Sequence, residues 1–336
     1  MISDCKFRDK LLMDGINITG SLFIRDEAEF DKEVTLLSTK IGNQLDMTNS
    51  KFRDKVCMEN MHVEGNCFIG RGGSFAEDVC LAFSKIGSNL EISNGEFSSL
   101  DLTGTQIEKD FCLKSIKNQI PEWQPGSKLT LQNTQVGTMR DSKDAWPDTL
   151  TIDGFTYTRF GGYAADRANS IATRDISWFK KWLRKDARYS PQPYQQLASV
   201  LQKEGYKDKA TEILYEAKRR EHREETSMLS LTWYWLLLQW LSIGYGYYNF
   251  RAVYWLLSIC ILGTLIIHIS GKDKANKMKY WGLAYSVDIL LPIIKLYKPN
   301  DSIDLGGKAK VYFYIHKIFG YVLVFFFVAG LSGLIK

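Results

Sequence analysis

The sequence has few residues of the kinds that usually carry chemistry, and their scarcity narrows the possible functions. Its 336 residues include four scattered histidines and six cysteines, none of which belongs to a Cys-x-x-Cys pair. No Gly-x-Gly-x-x-Gly fingerprint follows a predicted strand, and no haem or iron–sulfur ligand spacing is present. We therefore expect no catalytic site, no metal and no cofactor, and we do not expect an enzyme.

Charge of one sign is also scarce. The net charge of +5 is spread over the whole chain without a concentrated basic patch in its first half, so nucleic acid is not expected to be the main partner. Residues 1–30 mix charges throughout and lack the apolar stretch of a secretory signal. We therefore expect residues 1–228 to stay in the cytosol of a bacterium-like cell.

The cysteines are expected to be reduced structural thiols, as is usual in the cytosol. Cys57 and Cys80 should lie outward on adjacent strands, Cys112 should lie outward on another face, and Cys67 should point inward. A redox or metal pair is the alternative, but the chain has no Cys-x-x-Cys motif.

An internal repeat occupies the first half of the chain. Phenylalanines recur at spacings of 23, 22, 23 and 22 residues, at Phe7, Phe30, Phe52, Phe75 and Phe97. Aliphatic residues recur halfway between them, at Ile18, Ile41, Val63, Ile86 and Ile107. From each of these positions apolar residues follow at nearly the same offsets, and the last two are two residues apart, as on one face of a short strand. Such a unit cannot bury its apolar face alone and must stack on copies of itself.

The repeat predicts a β-solenoid over residues 1–165, so the fold class is mixed: β-solenoid, helical connector and α-helical transmembrane domain. About five regular coils of two halves each should stack Phe on Phe and Ile or Val on Ile or Val. Residues 114–149 contain an insertion with Pro121, Trp123, Pro125 and Pro147, after which one or two less regular coils follow. Gly20, Gly42, Gly65 and Gly87 are expected at corners where the backbone turns or approaches another coil closely.

Residues 166–228 are predicted to be a helical connector. Residues 170–188 have an amphipathic pattern, and residues 194–217 resemble one tetratricopeptide-like hairpin with Gly205 at its turn. We interpret the connector as a packed spacer; a partner-binding repeat is the alternative. It ends in a basic run, Lys218, Arg219, Arg220 and Arg223, which favours flanking of a membrane on the cytosolic side.

Residues 251–336 contain two apolar segments of membrane-spanning length. Ala252 to Ser270 has no formally charged residue, and Val311 to Ile335 is a second long apolar stretch, with His316 and Lys317 near one end. Between them, residues 281–297 are apolar but short and contain Asp288, Pro292 and Lys295. We predict two spans enclosing a segment too short and too polar to be a third.

An aromatic segment over residues 229–250 precedes the first span. Its amphipathic rings favour the headgroup level of a bilayer, and so the segment is predicted to be an interfacial helix. The membrane-interface residues are Trp233, Trp235, Trp240, Tyr245, Tyr247 and Arg251. Gly244-Tyr245-Gly246 resembles the Gly-Tyr-Gly of potassium selectivity filters, but no spanning helix precedes it, so we expect these residues to end the helix.

The order of span, short segment and span resembles that of two-helix pore-loop ion channels. Residues 283–292 are similar in layout to the pore helix of those channels, and residues 320–333 are similar to their outgoing helix. Pro292-Ile293-Ile294-Lys295 stands where those channels have a glycine-rich filter. The resemblance implies that the pore-lining candidates are Ser286, Asp288, Pro292 and Lys295. A membrane-surface helix with a structural acid, in which Asp288 pairs with Lys295, is the rival interpretation.

Residues 194–336 also resemble a family of uncharacterised bacterial proteins often labelled membrane-associated oxidoreductases. The resemblance rests on Gly244-Tyr245-Gly246-Tyr247 with Arg251, on residues 285–292 and on the glycine-bearing last helix. It implies an N-terminal β-solenoid and a C-terminal membrane domain. No residue motif described above supports the redox activity in the label.

Together these features predict an oligomeric membrane pore or channel-like effector, regulated by a cytosolic solenoid that senses a protein partner or signal. The bilayer and further copies of the chain are its expected partners, because two spans cannot enclose a pore. The expected location is the bacterial inner membrane. A non-conducting membrane anchor that displays the solenoid as a scaffold is the second hypothesis, and a membrane-associated oxidoreductase is the third.

Overall fold

The structure, a computed structural model, describes residues 1–114, 117–161, 170–270, 282–291 and 307–332. The chain divides into two compact units, Met1–Ala217 and Lys218–Lys336. The strands are β1 (Ile2–Ser3), β2 (Lys6–Phe7), β3 (Leu11–Leu12), β4 (Asn17–Ile18), β5 (Leu22–Arg25), β6 (Glu29–Phe30), β7 (Val34–Thr35), β8 (Lys40–Ile41), β9 (Leu45–Thr48), β10 (Lys51–Phe52), β11 (Val56–Cys57), β12 (His62–Val63), β13 (Cys67–Gly70), β14 (Ser74–Cys80), β15 (Lys85–Ile86), β16 (Leu90–Ser93), β17 (Glu96–Asp101), β18 (Gln106–Cys112), β19 (Glu122–Thr130), β20 (Gln135–Arg140), β21 (Thr149–Thr151) and β22 (Thr156–Phe160). The helices are α1 (Ile176–Arg184), α2 (Pro191–Lys203), α3 (Lys207–Glu224), α4 (Leu231–Ile243), α5 (Phe250–Ser270), α6 (Gly282–Leu290) and α7 (Gly307–Leu331), and a 3₁₀ turn covers Ile171–Thr173.

The strands form a β-solenoid of about seven turns, which confirms the predicted fold class. Each strand pairs in parallel with the equivalent strand of the next turn, so that identical positions of successive repeats are hydrogen-bonded partners. Phe52 thus lies opposite Phe30 and Phe75, and Val63 opposite Ile41 and Ile86. Each repeat thus buries its apolar side chains against copies of itself, and each further repeat adds one turn to the height of the solenoid.

The five phenylalanines form one continuous ladder. Their ring centroids are 5.1, 4.9, 4.8 and 5.0 Å apart from Phe7 to Phe97, and neighbouring rings are within 9° of parallel. Phe30, Phe52, Phe75 and Phe97 are at most 1% exposed, whereas Phe7 in the first turn is partly exposed. Trp123 lies opposite Phe97 and extends the ladder inside the segment that the sequence marks as an insertion.

Close backbone approach explains three of the four predicted corner glycines, Gly42, Gly65 and Gly87, whereas a Cβ on Gly20 would meet no atom within 4 Å. A Cβ on Gly42 would overlap the carbonyl oxygen of Thr19 in the preceding turn, and a Cβ on Gly87 would overlap that of Glu64. Because φ is not positive at these corners, backbone conformation does not require glycine there. The close contact between turns does.

The described cysteines are all free thiols. Cys67 is buried, and Cys57 lies opposite Cys80 on adjacent strands. Cys112, predicted to face outward, lies outside the apolar core of the solenoid and is nevertheless only 6% exposed. The side chains of its strand neighbours Glu91 and Arg140 flank it on either side, and burial raises the pKa of its thiol to about 12.

The helices α1 to α3 cap the last turn of the solenoid. Side chains of these helices and of the segments that join them accept hydrogen bonds from the backbone of the terminal strands: Asp186 from Ile152 (2.9 Å) and Glu204 from Phe160 (2.8 Å). Arg174, which precedes α1, forms a buried ion pair with Asp141 at 2.7 Å. An exposed sheet edge would leave these N–H groups unpaired, so the connector is part of the solenoid unit.

The tetratricopeptide-like hairpin is present as α2 and α3, with Gly205 at φ +94° in the turn between them. The two long apolar helices begin earlier in the chain than the apolar segments from which they were predicted. Helix α5 begins at Phe250 instead of Ala252, and α7 at Gly307 instead of Val311, because charged residues such as Arg251 and Lys308 lie within their first turns.

We expect Phe52→Ala to lower the free energy of unfolding by ~3–5 kcal/mol, because it removes a fully buried ring and leaves a cavity in the ladder. Urea unfolding of a fragment of residues 1–225 would measure the loss. Phe83→Ala is the matched control, since this ring is 66% exposed. Equal midpoints for the two variants would contradict the stacking of the repeats.

Candidate functional site

Helices α5 and α7 of the second unit each bury one narrow face. The buried residues of α7 recur about every three or four positions along one face: Ala309, Phe313, His316, Gly320, Leu323, Phe326, Ala329 and Gly330. Only 22% of the most apolar stretch of α5 and 28% of that of α7 is buried. A core helix of a soluble protein would be mostly buried, so these two helices, long and apolar enough to cross a membrane, present broad apolar surfaces outward.

The short helix α6 packs between these two helices and reaches the middle of both. Its first residue, Gly282, faces Thr264 and Ile267 near the C-terminal end of α5. Ser286 contacts Cys260, the central residue of α5, and Leu290 at the other end contacts Gly320 in the middle of α7. Nine residues of helix span about 14 Å, so α6 covers roughly half the length of α5.

A buried polar cluster holds α6 in this position. The Ser286 hydroxyl donates to the Cys260 carbonyl oxygen at 2.9 Å, and His316 Nε2 lies 3.1 Å from the Ser286 carbonyl oxygen. Because a carbonyl only accepts, Nε2 carries the proton; in the neutral ring Nδ1 then accepts from the Tyr312 hydroxyl at 3.2 Å. Ser286 and His316 are 0% and 1% exposed.

Small residues allow the three helices to approach this closely. A Cβ on Gly263 would overlap the Ser286 hydroxyl and lie 2.9 Å from His316 Cε1. A Cβ on Gly320 would overlap the Leu290 carbonyl oxygen. These two glycines thus provide the space into which α6 fits, as small residues do in helix packing within membranes.

Of the four predicted pore-lining residues, the structure describes two, and these two differ in burial. Ser286 is buried between helices of its own chain, so its placement does not support a pore-lining role for it. Asp288 is half-buried near the C-terminal end of α6. Pro292 and Lys295 lie outside the described residues.

The sequence analysis did not identify His316 as part of this cluster. It placed His316 near the end of a span, whereas α7 begins four residues earlier and His316 is its tenth residue. The three- and four-residue spacing from Phe313 and Gly320 is the signal that places His316 on the buried face.

The predicted interfacial segment forms α4, whose 13 residues are too few to cross a bilayer. Ser230 caps its start by accepting from the Trp233 amide at 3.1 Å, and Gly244 ends it at φ +55°. Gly244-Tyr245-Gly246 therefore forms the turn after the helix, as expected from the sequence.

The predicted membrane-interface residues differ in exposure. Trp235 and Trp240 are 46% and 38% exposed, and Trp235 also packs against Phe326 of α7. Trp233 and Tyr247 are half-buried. Tyr245 is buried and hydrogen-bonded to His222, and the Arg251 guanidinium lies 4.8 Å from the centre of the Tyr248 ring. Only part of this set thus presents its rings outward.

No known protein family, curated protein or solved structure matches the chain. The two resemblances drawn from sequence motifs therefore stay expectations, and the function is argued from the residues themselves.

We expect Gly320→Ala to displace α6, because the added methyl group overlaps the Leu290 carbonyl. Overpacking of this kind should lower the free energy of unfolding by about 1–3 kcal/mol in a titration of the purified full chain with sodium dodecyl sulfate. Gly282→Ala is the matched control, since its Cβ would make ordinary contacts of 3.6 and 3.8 Å. A Gly320→Ala protein as stable as the control would contradict this packing of α6.

Proposed function

We propose that the chain forms an oligomeric pore in the bacterial inner membrane and that its cytosolic solenoid unit regulates the pore. The observation that carries this proposal is the position of α6, a half-length helix that ends at the middle of two apolar helices. A helix that stops inside the hydrocarbon leaves backbone carbonyls without partners unless protein or water satisfies them. Such an element suits a pore, where its open end faces water.

The chemistry of this end favours cations. The C-terminal end of a helix carries a partial negative charge, and Asp288 adds a carboxylate two residues before α6 ends. One chain with two spans cannot enclose a pore, so several copies are needed. In a symmetric oligomer these groups would form an acidic ring, which favours cations in pores.

Helix α3 provides a mechanical connection for regulation. Its first turns belong to the solenoid unit and its last two turns to the second unit. Arg184 and Lys180 of α1 pair with Glu216 and Glu212 of α3, and the hairpin caps the last turn of the solenoid. A partner or signal that shifts the solenoid would therefore move the end of α3 that leads into α4.

The second candidate is a non-conducting anchor that displays the solenoid as a scaffold. The buried cluster favours this alternative, because Ser286 and His316 satisfy each other within one chain and leave no polar group of theirs for a lumen. Flux measurements distinguish the two functions.

The oxidoreductase hypothesis has less support from the residues. Burial raises the pKa of the Cys80 thiol to about 12, so this thiol is protonated at neutral pH and a poor nucleophile. Cys67 is buried, and burial raises the pKa of its thiol as well.

The proposed topology places both ends of the second unit in the cytosol, and residues 271–310 are reached from the other side of the membrane. Reporter fusions at residue 275 and at Lys336 should label opposite sides. The positive-inside rule gives no clear preference, because Lys272, Lys274, Lys277 and Lys279 lie in the outer segment. Labelling of both fusions on one side would rule out two spans.

We expect Asp288→Asn to reduce the cation-over-anion preference of flux through liposomes by at least about tenfold, with assembly unchanged. A carboxylate ~8 Å from a permeating ion contributes about 2 kcal/mol at an effective dielectric constant of ~20. Asp288→Glu, which keeps the charge, is the matched control and should retain the preference.

Two results would contradict the pore role of Asp288. Flux and selectivity of Asp288→Asn equal to those of the parent would exclude an acidic ring. Loss of assembly in Asp288→Asn, with Asp288→Glu intact, would instead indicate a structural ion pair.

A further inference from the structure

A small cavity lies between the end of α3 and α4, entirely within the second unit. It encloses about 280 Å³, at the lower end of the range of ligand sites (~300–1,000 Å³). The lining residues that matter for its chemistry are Arg219, His222, Arg223, Trp233, Trp240 and Tyr245. Two guanidinium groups and an imidazole thus meet two indole rings, and none of the lining residues is acidic.

His222 is the buried polar group of this cavity. It is 8% exposed, its Nδ1 lies 2.8 Å from the Tyr245 hydroxyl, and its ring packs against Trp233 at 5.2 Å between centroids. Among the described residues, Nε2 has no hydrogen-bond partner. A buried polar nitrogen without a partner is costly, so this atom indicates a missing ligand.

The protonation of His222 indicates what the ligand offers. Burial lowers the pKa of His222, and the backbone of Trp233 offsets part of this, so the ring is neutral at pH 7. When the Tyr245 hydroxyl donates to Nδ1, the proton of the neutral ring is on Nε2. The group that completes the site is then a hydrogen-bond acceptor, such as an oxyanion.

The arginines supply the matching charge. Arg219 and Arg223 are four residues apart on α3 and His222 is three after Arg219, so all three share one face of the helix. Within the same run, Lys218 pairs with Glu221 at 3.0 Å and Arg220 with Glu224 at 2.8 Å. Arg219 and Arg223 line the cavity.

The surroundings of the cavity favour an amphiphile over a soluble ion. Met228, which lines the cavity, is 72% exposed, and Leu229 and Leu231 beside it are 93% and 89% exposed. Exposed apolar residues next to arginines and tryptophans are the pattern of a surface that meets the headgroup region of a bilayer.

We propose that this cavity binds the phosphate of an anionic phospholipid headgroup. Arg219 and Arg223 neutralise the phosphate, His222 Nε2–H donates to one of its oxygens, and Met228 and Leu229 contact the upper acyl chain. The proposal rests on the membrane location in the proposed function but not on conduction, since a non-conducting anchor would use the same site. The bound lipid would fix the junction of α3 and α4 at the membrane surface.

Native mass spectrometry of the full chain in detergent tests this site, with dioleoylphosphatidylglycerol and dioleoylphosphatidylcholine as the probes. The parent should retain phosphatidylglycerol preferentially. Arg223→Gln should weaken its retention about fivefold, the effect of one basic residue near an anionic headgroup. His222→Gln should also weaken it. Lys207→Gln, an equal loss of charge at the exposed start of α3, should leave it unchanged.

Equal retention of the two lipids by the parent, or equal losses in Arg223→Gln and Lys207→Gln, would overturn the site. If inorganic phosphate at the same concentration as the lipid displaces phosphatidylglycerol, the choice of a lipid would be overturned in favour of a soluble phosphate ligand. Arg223 is exposed, so its variant keeps the test valid if His222→Gln fails to fold. Flux through phosphatidylcholine liposomes is measured separately, so failure of the lipid site and failure of the pore are distinguishable.

Discussion

The C-terminal unit is organised around one constraint: a helix that ends between two apolar helices must have its polar groups satisfied without bulk water. The Ser286 hydroxyl is satisfied by the Cys260 carbonyl and the His316 ring by the Ser286 carbonyl and Tyr312. These short contacts require close helix packing, which Gly263 and Gly320 permit because a side chain at either position would overlap α6. The position of α6 therefore depends on two glycines and one hydrogen-bonded cluster, and the pore that we propose depends on that position.

The solenoid unit meets a related constraint at its last turn, where strand N–H groups face no further repeat. Here the connector satisfies them through Asp186 and Glu204, so the helices that lead toward the second unit also terminate the solenoid. This dual use has a consequence for regulation. A change that disturbs the last turn would alter the packing of α2 and α3 directly, because Asp186 and Glu204, which flank α2, accept hydrogen bonds from the backbone of that turn. The sensing function that we propose for the solenoid needs only this contact and the continuity of α3.

The fold followed from the sequence wherever a period repeated, and the details of the site did not. The spacing of Phe30, Phe52 and Phe75 predicts contacts between residues that are distant in sequence, since identical positions must stack. Trp123 was not predicted to extend the ladder, because an insertion shifts the register before the ladder resumes. Helix α6 has too few residues for its periodicity to identify its neighbours, so the burial of Ser286 depended on tertiary packing. The place of His222 beside the arginines could have been predicted, because Arg219, His222 and Arg223 have the spacing of one helix face. These residues lie in a basic run, however, and only the charge of the run was interpreted.

The rotational symmetry of the purified full-length protein in lipid nanodiscs, measured by electron cryomicroscopy, tests the central claim most directly. We expect a closed ring of three or more chains in which the C-terminal ends of the α6 helices and the Asp288 side chains face the symmetry axis. A single chain, or a ring with α6 turned toward the lipid, would contradict a pore and would leave the anchored scaffold as the function of this protein.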